Sequence, residues 1–279
     1  MVSTIHKAVI GLWCLANVLE SVSNQTYTRS GWTVYSYPHD IASDAVEINI
    51  KDTNIDRVDY VEAFPSLRRY SLTNNQVSDF PDLSNVSDTL LRLTISFTRI
   101  TTLPVSAMAA MPKLELLDVS SNKIAHLPDL TAVFPSLCTL MARSNGLRSM
   151  NRSTAFRYFL TGNQLTKLPE LDDVADGLTL VVMADNKMTK IPGDALPSAP
   201  KFALLDLRRN GITNFPDLRN VTALNYLALS SESDRFRVRT SSDDVAEAVV
   251  AQRQQPGRVS QSWQRVRRLD RPGFGNERN

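Results

Sequence analysis

Chemistry-bearing residues are scarce in this chain. Of 279 residues, two are cysteine (Cys14 and Cys138) and three are histidine (His6, His39 and His126). Two cysteines build no disulfide framework, and no zinc-type spacing is present. There is no glycine-rich phosphate loop, no Gly-x-Ser-x-Gly elbow and no His-Glu-x-x-His motif. An excess of charge is missing as well. The 31 Lys and Arg against 29 Asp and Glu leave a net +2, so there is no overall electrostatic case for nucleic acid or an anionic membrane. Nor is there a long apolar run: Ala8–Leu19 is about a dozen residues, interrupted by Asn17, and too short to span a bilayer. What remains is an ordinary globular composition, 42% hydrophobic and 22% charged, which argues against a disordered chain.

The N-terminus carries the parts of a secretory signal peptide in order. Lys7 precedes the apolar run, and Ser21-Val22-Ser23 offers small residues for cleavage, so residues 1–23 are expected to be removed on export. The alternative is a buried helix or a frayed end. Cleavage would take Cys14 out of the mature chain, and the resulting cysteine poverty counts against export. Four glycosylation sequons start at Asn24, Asn85, Asn151 and Asn220. About three would arise by chance from 18 Asn and 48 Ser plus Thr, so their placement is more telling than their number.

A repeat organises the middle. From Leu114, apolar residues stand at offsets 0, +3, +5, +10 and +13 (Leu114, Leu117, Val119, Ile124 and Leu127), with Asn122 at +8. The template recurs from Leu67, Leu90, Leu137, Ala155, Leu178 and Phe202, degenerately from Ala45, and fails after Leu229 in the copy starting at Leu224. Spacings are 22 to 24 residues except for one of 18, between Leu137 and Ala155. Proline gives an independent check, since Pro81, Pro104, Pro128, Pro169, Pro192 and Pro216 all sit at +14. Over residues 45–229 the sequence resembles the leucine-rich repeat family, about nine repeats long.

The resemblance implies an α/β leucine-rich repeat solenoid, with a parallel β-sheet on the concave face. Spacings of 22 to 24 are too short for a full helix on every repeat, so the convex side is expected to be irregular or 3-10 in character. The physics fits. Residues at +3 and +5 point to one side of a short strand, and stacking makes that side a continuous core. At +8 the chain turns away from the strand, and an Asn side chain supplies both a donor and an acceptor for backbone groups that water cannot reach. Thr53 and Thr98 at that phase are expected to give looser turns. The 18-residue spacing drops about five residues around Arg148–Thr154, which is expected to tighten or distort the curve.

The ends depart from the pattern. The cysteine-rich caps usual in extracellular members are absent, and residues 24–44, with Trp32, Tyr35 and Tyr37, are read as a cysteine-free N-terminal cap. Residues 230–279 form an arginine-rich tail; from Arg235 onward there are ten Arg and no Lys. Disorder is one reading of this tail. A partial cap with a short helix over Ser242–Gln254 is the other. Isolated chemistry is bland: His126 falls on the convex side, Asp172-Asp173 and Asp243-Asp244 are loop acids, and Arg265–Arg268 with Trp263 is a solvated cluster.

The functional expectation is therefore a non-enzymatic recognition or adhesion module without cofactor or metal, secreted, with a protein partner and no nucleic acid or transmembrane segment. The alternatives are a cytoplasmic scaffold or regulatory subunit, or a fragment of a larger receptor. Offsets +2, +4 and +6 face out from the concave sheet, so the binding face is read repeat by repeat. Met141, Phe159, Leu180, Val182, Leu204 and Tyr226 make an apolar patch over the later repeats, rimmed by Arg143, Arg157 and Arg208, with Arg69 and Arg92 on the earlier side. Apolar and aromatic residues ringed by arginine are the composition of protein-binding hot spots. Glycans are expected away from the strands, because no sequon occupies offsets +2 to +6.

Overall fold

The structure is a computed structural model. It describes residues 26–31, 36–58, 61–106, 108–192, 195–213, 218, 221–224 and 226–229, together with the strand Ala248–Val250. The expected signal peptide, Asn24, Trp32, Tyr35, Asn220 and most of the tail lie outside the described residues.

Each repeat contributes one short strand at the expected phase. These are β2 (Glu47–Lys51), β3 (Arg69–Thr73), β4 (Arg92–Ser96), β5 (Leu116–Asp118), β7 (Thr139–Met141), β9 (Arg157–Phe159), β10 (Leu180–Val182), β11 (Leu204–Leu207) and β12 (Tyr226–Leu229). Two more extend the stack, β1 (Thr26–Ser30) before it and β13 (Ala248–Val250) after it. All eleven pair in parallel in the order β1-β2-β3-β4-β5-β7-β9-β10-β11-β12-β13. Burial alternates as the period of two requires: in β3, Tyr70 and Leu72 are buried while Arg69, Ser71 and Thr73 are half-buried on the other face. The inward residues merge into one core running from Tyr37 to Leu229. Among the described residues the convex side holds no α-helix; its 3-10 turns are Ser84–Val86 and Asp172–Val174.

The +8 asparagines do what the turn chemistry demands. Asn163 Nδ2 donates to Leu160 O in its own turn and to Ala142 O in the preceding repeat, both at 2.9 Å. Its Oδ1 accepts from Leu147 N at 3.1 Å. Asn186 and Asn210 repeat the arrangement one and two turns on. The two threonines at this phase are not loose substitutes. Thr53 and Thr98 are buried, and their hydroxyls donate to Oδ1 of Asn75 and Asn122 in the next repeat. A hydroxyl one repeat upstream fits the acceptor that the following asparagine offers, so the ladder continues through them.

Two regions add what the repeat template leaves unspecified. The short repeat leaves the concave register intact, with Thr139 opposite Arg157 and Met141 opposite Phe159. The lost residues are taken up on the convex side, where β6 (His126–Leu127) and β8 (Ser149–Met150) pair in parallel as a second, two-stranded sheet. In the tail, read as disordered or as a partial cap with a short helix over Ser242–Gln254, the described residues are the strand β13, Ala248–Val250. A Val-Val pair suits a strand, and the open edge of β12 supplies its ladder partner, Leu227 opposite Ala248.

Sequence reading missed a recurring backbone feature. The residue at +7, between strand and asparagine turn, has positive φ in each repeat from Ala45 to Phe202: Asp52, Asn74, Phe97, Ser121, Ser144, Gly162, Asp185 and Arg209. Gly31 holds the same place after β1. This left-handed conformation is cheap for Gly and tolerable for Asn and Asp, but costs a bulky residue about 1 kcal/mol or more.

Candidate functional site

Parallel register turns the concave positions into rows running across the strands. In the row at +2, Arg157, Leu180, Leu204 and Tyr226 are successive neighbours. In the row at +4, Met141, Phe159 and Val182 are neighbours, followed by Asp206 and Ala228. All six expected apolar residues are half-buried and share one face of the sheet. The structure thus brings the expected patch together.

The arginines are more tied down than a free rim. The Arg143 guanidinium lies over the Phe159 ring, 4.6 Å from its centroid, a cation–π contact that orients both side chains. Arg208 is gripped by Asp206, with Nε to Oδ1 at 2.9 Å and Nη2 to Oδ2 at 2.7 Å. The hydrogen bond to Asp206 holds the Arg208 guanidinium above its usual pKa. Asp206 is 5% exposed and would be an isolated buried charge without this partner. Arg157 continues the +2 row beside Leu180.

The earlier half of the same face is polar except for Leu116, which follows Arg92 in the +2 row. Its +2 row runs Glu47, Arg69, Arg92, and its +4 row Asn49, Ser71, Thr94, Asp118. Arg69 is paired with Glu47 at 3.4 Å, and Asp118 Oδ1 accepts from Ser120 N at 2.9 Å.

Beyond the concave face, two expected sequons are described. Asn85 is exposed in the Ser84–Val86 turn, its Nδ2 donating to Val61 O at 3.0 Å. Asn151 is exposed just past β8. Both lie off the concave strands. A pocket of about 280 Å³ opens beside the short repeat, floored by Leu137, Phe156 and Val174 with Arg152 at its margin. Arg152 is held there by Glu170 at 3.0 Å and Asp173 at 3.6 Å. Among the described residues no group of three or more His, Cys, Asp or Glu is placed to hold a metal ion, and no helix is long and apolar enough to cross a membrane.

Known proteins of the same architecture define the class. The leucine-rich effector protein YopM of Yersinia pestis matches with a TM-score of 0.55 at 24% identity, covering 68% of this chain and 50% of that one. The Drosophila Toll–Spätzle complex matches at 0.55 and 19%, covering 71% and 28%. The TLR13–ssRNA13 complex matches at 0.57 and 16%, covering 76% and 36%. The chain is a leucine-rich repeat solenoid. It spans half or less of the length of these three structures, and at such identities the likeness is one of fold. No protein-family model and no curated protein matches the sequence.

Proposed function

We propose that this protein is a non-enzymatic recognition module that holds a protein partner against the later half of its concave face. The observation that carries the reading is the pair of adjoining rows, Leu180–Leu204–Tyr226 and Met141–Phe159–Val182, set in register on rigid strands. Strands fix side chains within a narrow range, and apolar groups already half desolvated are the ones whose burial by a partner yields binding energy. Arg143, stacked on Phe159, presents a charge beside the aromatic anchor at little further ordering cost. Toll in its complex with Spätzle supports a protein ligand on this architecture; TLR13 with ssRNA13 makes RNA the outcome to test against.

The test is site-specific photocrosslinking in the source cells, with the photoreactive residue at Leu180 or, as a control, at Ser71. A protein adduct from position 180 and none from 71 supports the reading. Equal adducts from both, or an RNA adduct from 180, contradicts it. Export and glycosylation belong to the same proposal. N-terminal sequencing should find a start at Asn24, and glycosidase treatment of the secreted chain should reduce its mass through glycans at Asn24, Asn85, Asn151 and Asn220. A retained Met1 would move the protein to the cytoplasmic scaffold reading.

A further inference from the structure

Among the described residues one large apolar side chain stands mostly in water: Phe97, at 58% exposure. It also sits at φ +52°, in the left-handed region that its bulk disfavours. The other +7 positions carry Gly, Asp, Asn, Ser or Arg, so Phe97 alone combines strain with an exposed ring. Neither burial nor backbone chemistry accounts for it. Its N–H donates to Ser120 O at 3.0 Å, as the ladder requires of any residue there. A bulky residue held at left-handed φ with its ring mostly in water points to a functional position.

Its surroundings indicate what it meets. Phe97 lies on the rim where strands leave the concave sheet. On that rim stand two exposed cations, Arg99 in the same repeat and Lys123 in the next. Their backbone N–H groups bond to Val77 O and Ile100 O, which fixes both on consecutive turns. Toward the earlier repeats Asn74 bonds Asp52 at 2.8 Å, so that side of the rim is internally satisfied. Charge complementarity therefore runs from Phe97 toward the later repeats.

We propose that Phe97, with Arg99 and Lys123, is a rim anchor for an acidic protein segment that packs an apolar side chain on the ring. Two cations on a chain of net +2 suit a short acidic peptide better than a nucleic-acid backbone, which calls for a longer basic track. The anchor lies outside the concave patch and does not rest on it.

The test uses the full chain and three fluorescent probes of equal length: a peptide alternating Glu and Leu, its Lys-Leu counterpart, and oligouridine. Anisotropy should show binding of the Glu-Leu peptide alone, weakening with salt. Phe97→Asn should weaken it about tenfold, and so should Arg99→Glu. Phe97→Asn should also melt at a higher temperature than the parent, because Asn tolerates left-handed φ, which separates lost contact from lost fold. Absence of Glu-Leu binding, equal binding by Phe97→Asn, or Phe97-dependent binding of oligouridine would overturn the proposal.

Discussion

The two halves of the concave face share a backbone and differ in the balance of apolar and polar side chains that it displays. From β2 to β5 the outward rows are polar apart from Leu116 and largely satisfied within the protein, as Glu47–Arg69 and Asp118–Ser120 N show. From β7 to β12 the same offsets carry Met141, Phe159, Leu180, Val182, Leu204 and Tyr226. Solenoid packing explains neither composition, because inward residues such as Ile48, Leu93, Tyr158 and Leu205 complete the core in both halves. The lesson is that in a repeat protein the inward offsets carry the fold, and the outward ones are free to carry function.

The largest expected effect falls on the asparagine ladder, which both halves share unequally. The repeats from Leu114 onward use Asn122, Asn145, Asn163, Asn186 and Asn210 without a break, whereas those before it alternate Thr53, Asn75 and Thr98. Asn163→Ala would strand Leu147 N and Asn145 N and take one of two donors from Leu160 O and Ala142 O, and should cost about 3 kcal/mol in urea unfolding. Thr98→Val removes one hydroxyl donor to Asn122 and should cost about 1 kcal/mol.

A middle-sized effect concerns binding. Phe159→Ala should cost a concave-face partner about 2 kcal/mol by calorimetry, while Thr94→Ala on the polar half should cost under about 0.5 kcal/mol. If the second loss matches the first, the halves are not functionally distinct.

The smallest effect at neutral pH is at the base of the polar half. There the hydroxyls of Tyr37 and Tyr70 are buried beside one another, and burial pushes Tyr37 up to about 12 and Tyr70 well above its ordinary value. Raised values mean the fold favours the neutral phenols. Their contribution is therefore complete below pH 10, the ordinary tyrosine value, and for Tyr37 is lost as pH rises from 10 through about 12. Tyr37→Phe should change stability by less than about 1 kcal/mol at pH 7 and flatten the fall in alkaline denaturation curves.

Much of this was legible in the sequence because repetition multiplies a weak signal. One Leu-x-x-Leu-x-Leu run is ambiguous, but its recurrence with Asn and Pro in phase fixes strands, core and outward rows together. The rest was hidden for identifiable reasons. Strand β1, Thr-Tyr-Thr-Arg-Ser, has no apolar alternation and is held by backbone register with β2. Pairing of β6 with β8 sets convex segments of two successive repeats, 23 residues apart, side by side, and no strand alternation in either short segment announces it. Tail strand β13 needs the edge of β12, which no local pattern announces. The left-handed +7 column is chemically mixed, so Phe97 stands out only once the φ angles align it with Asn74 and Ser121.

The most direct test of the central claim needs no partner. Tyr158 and Phe159 are adjacent aromatics on β9, one fully buried in the core and one on the concave face. The quantity to measure is the free energy of unfolding of Tyr158→Ala and Phe159→Ala in urea. Tyr158→Ala should lose about 3–5 kcal/mol, and Phe159→Ala about 1 kcal/mol or less, chiefly the Arg143 contact. Comparable losses from the two would show that the apolar rows are structural, and would contradict the assignment of the later concave face to binding.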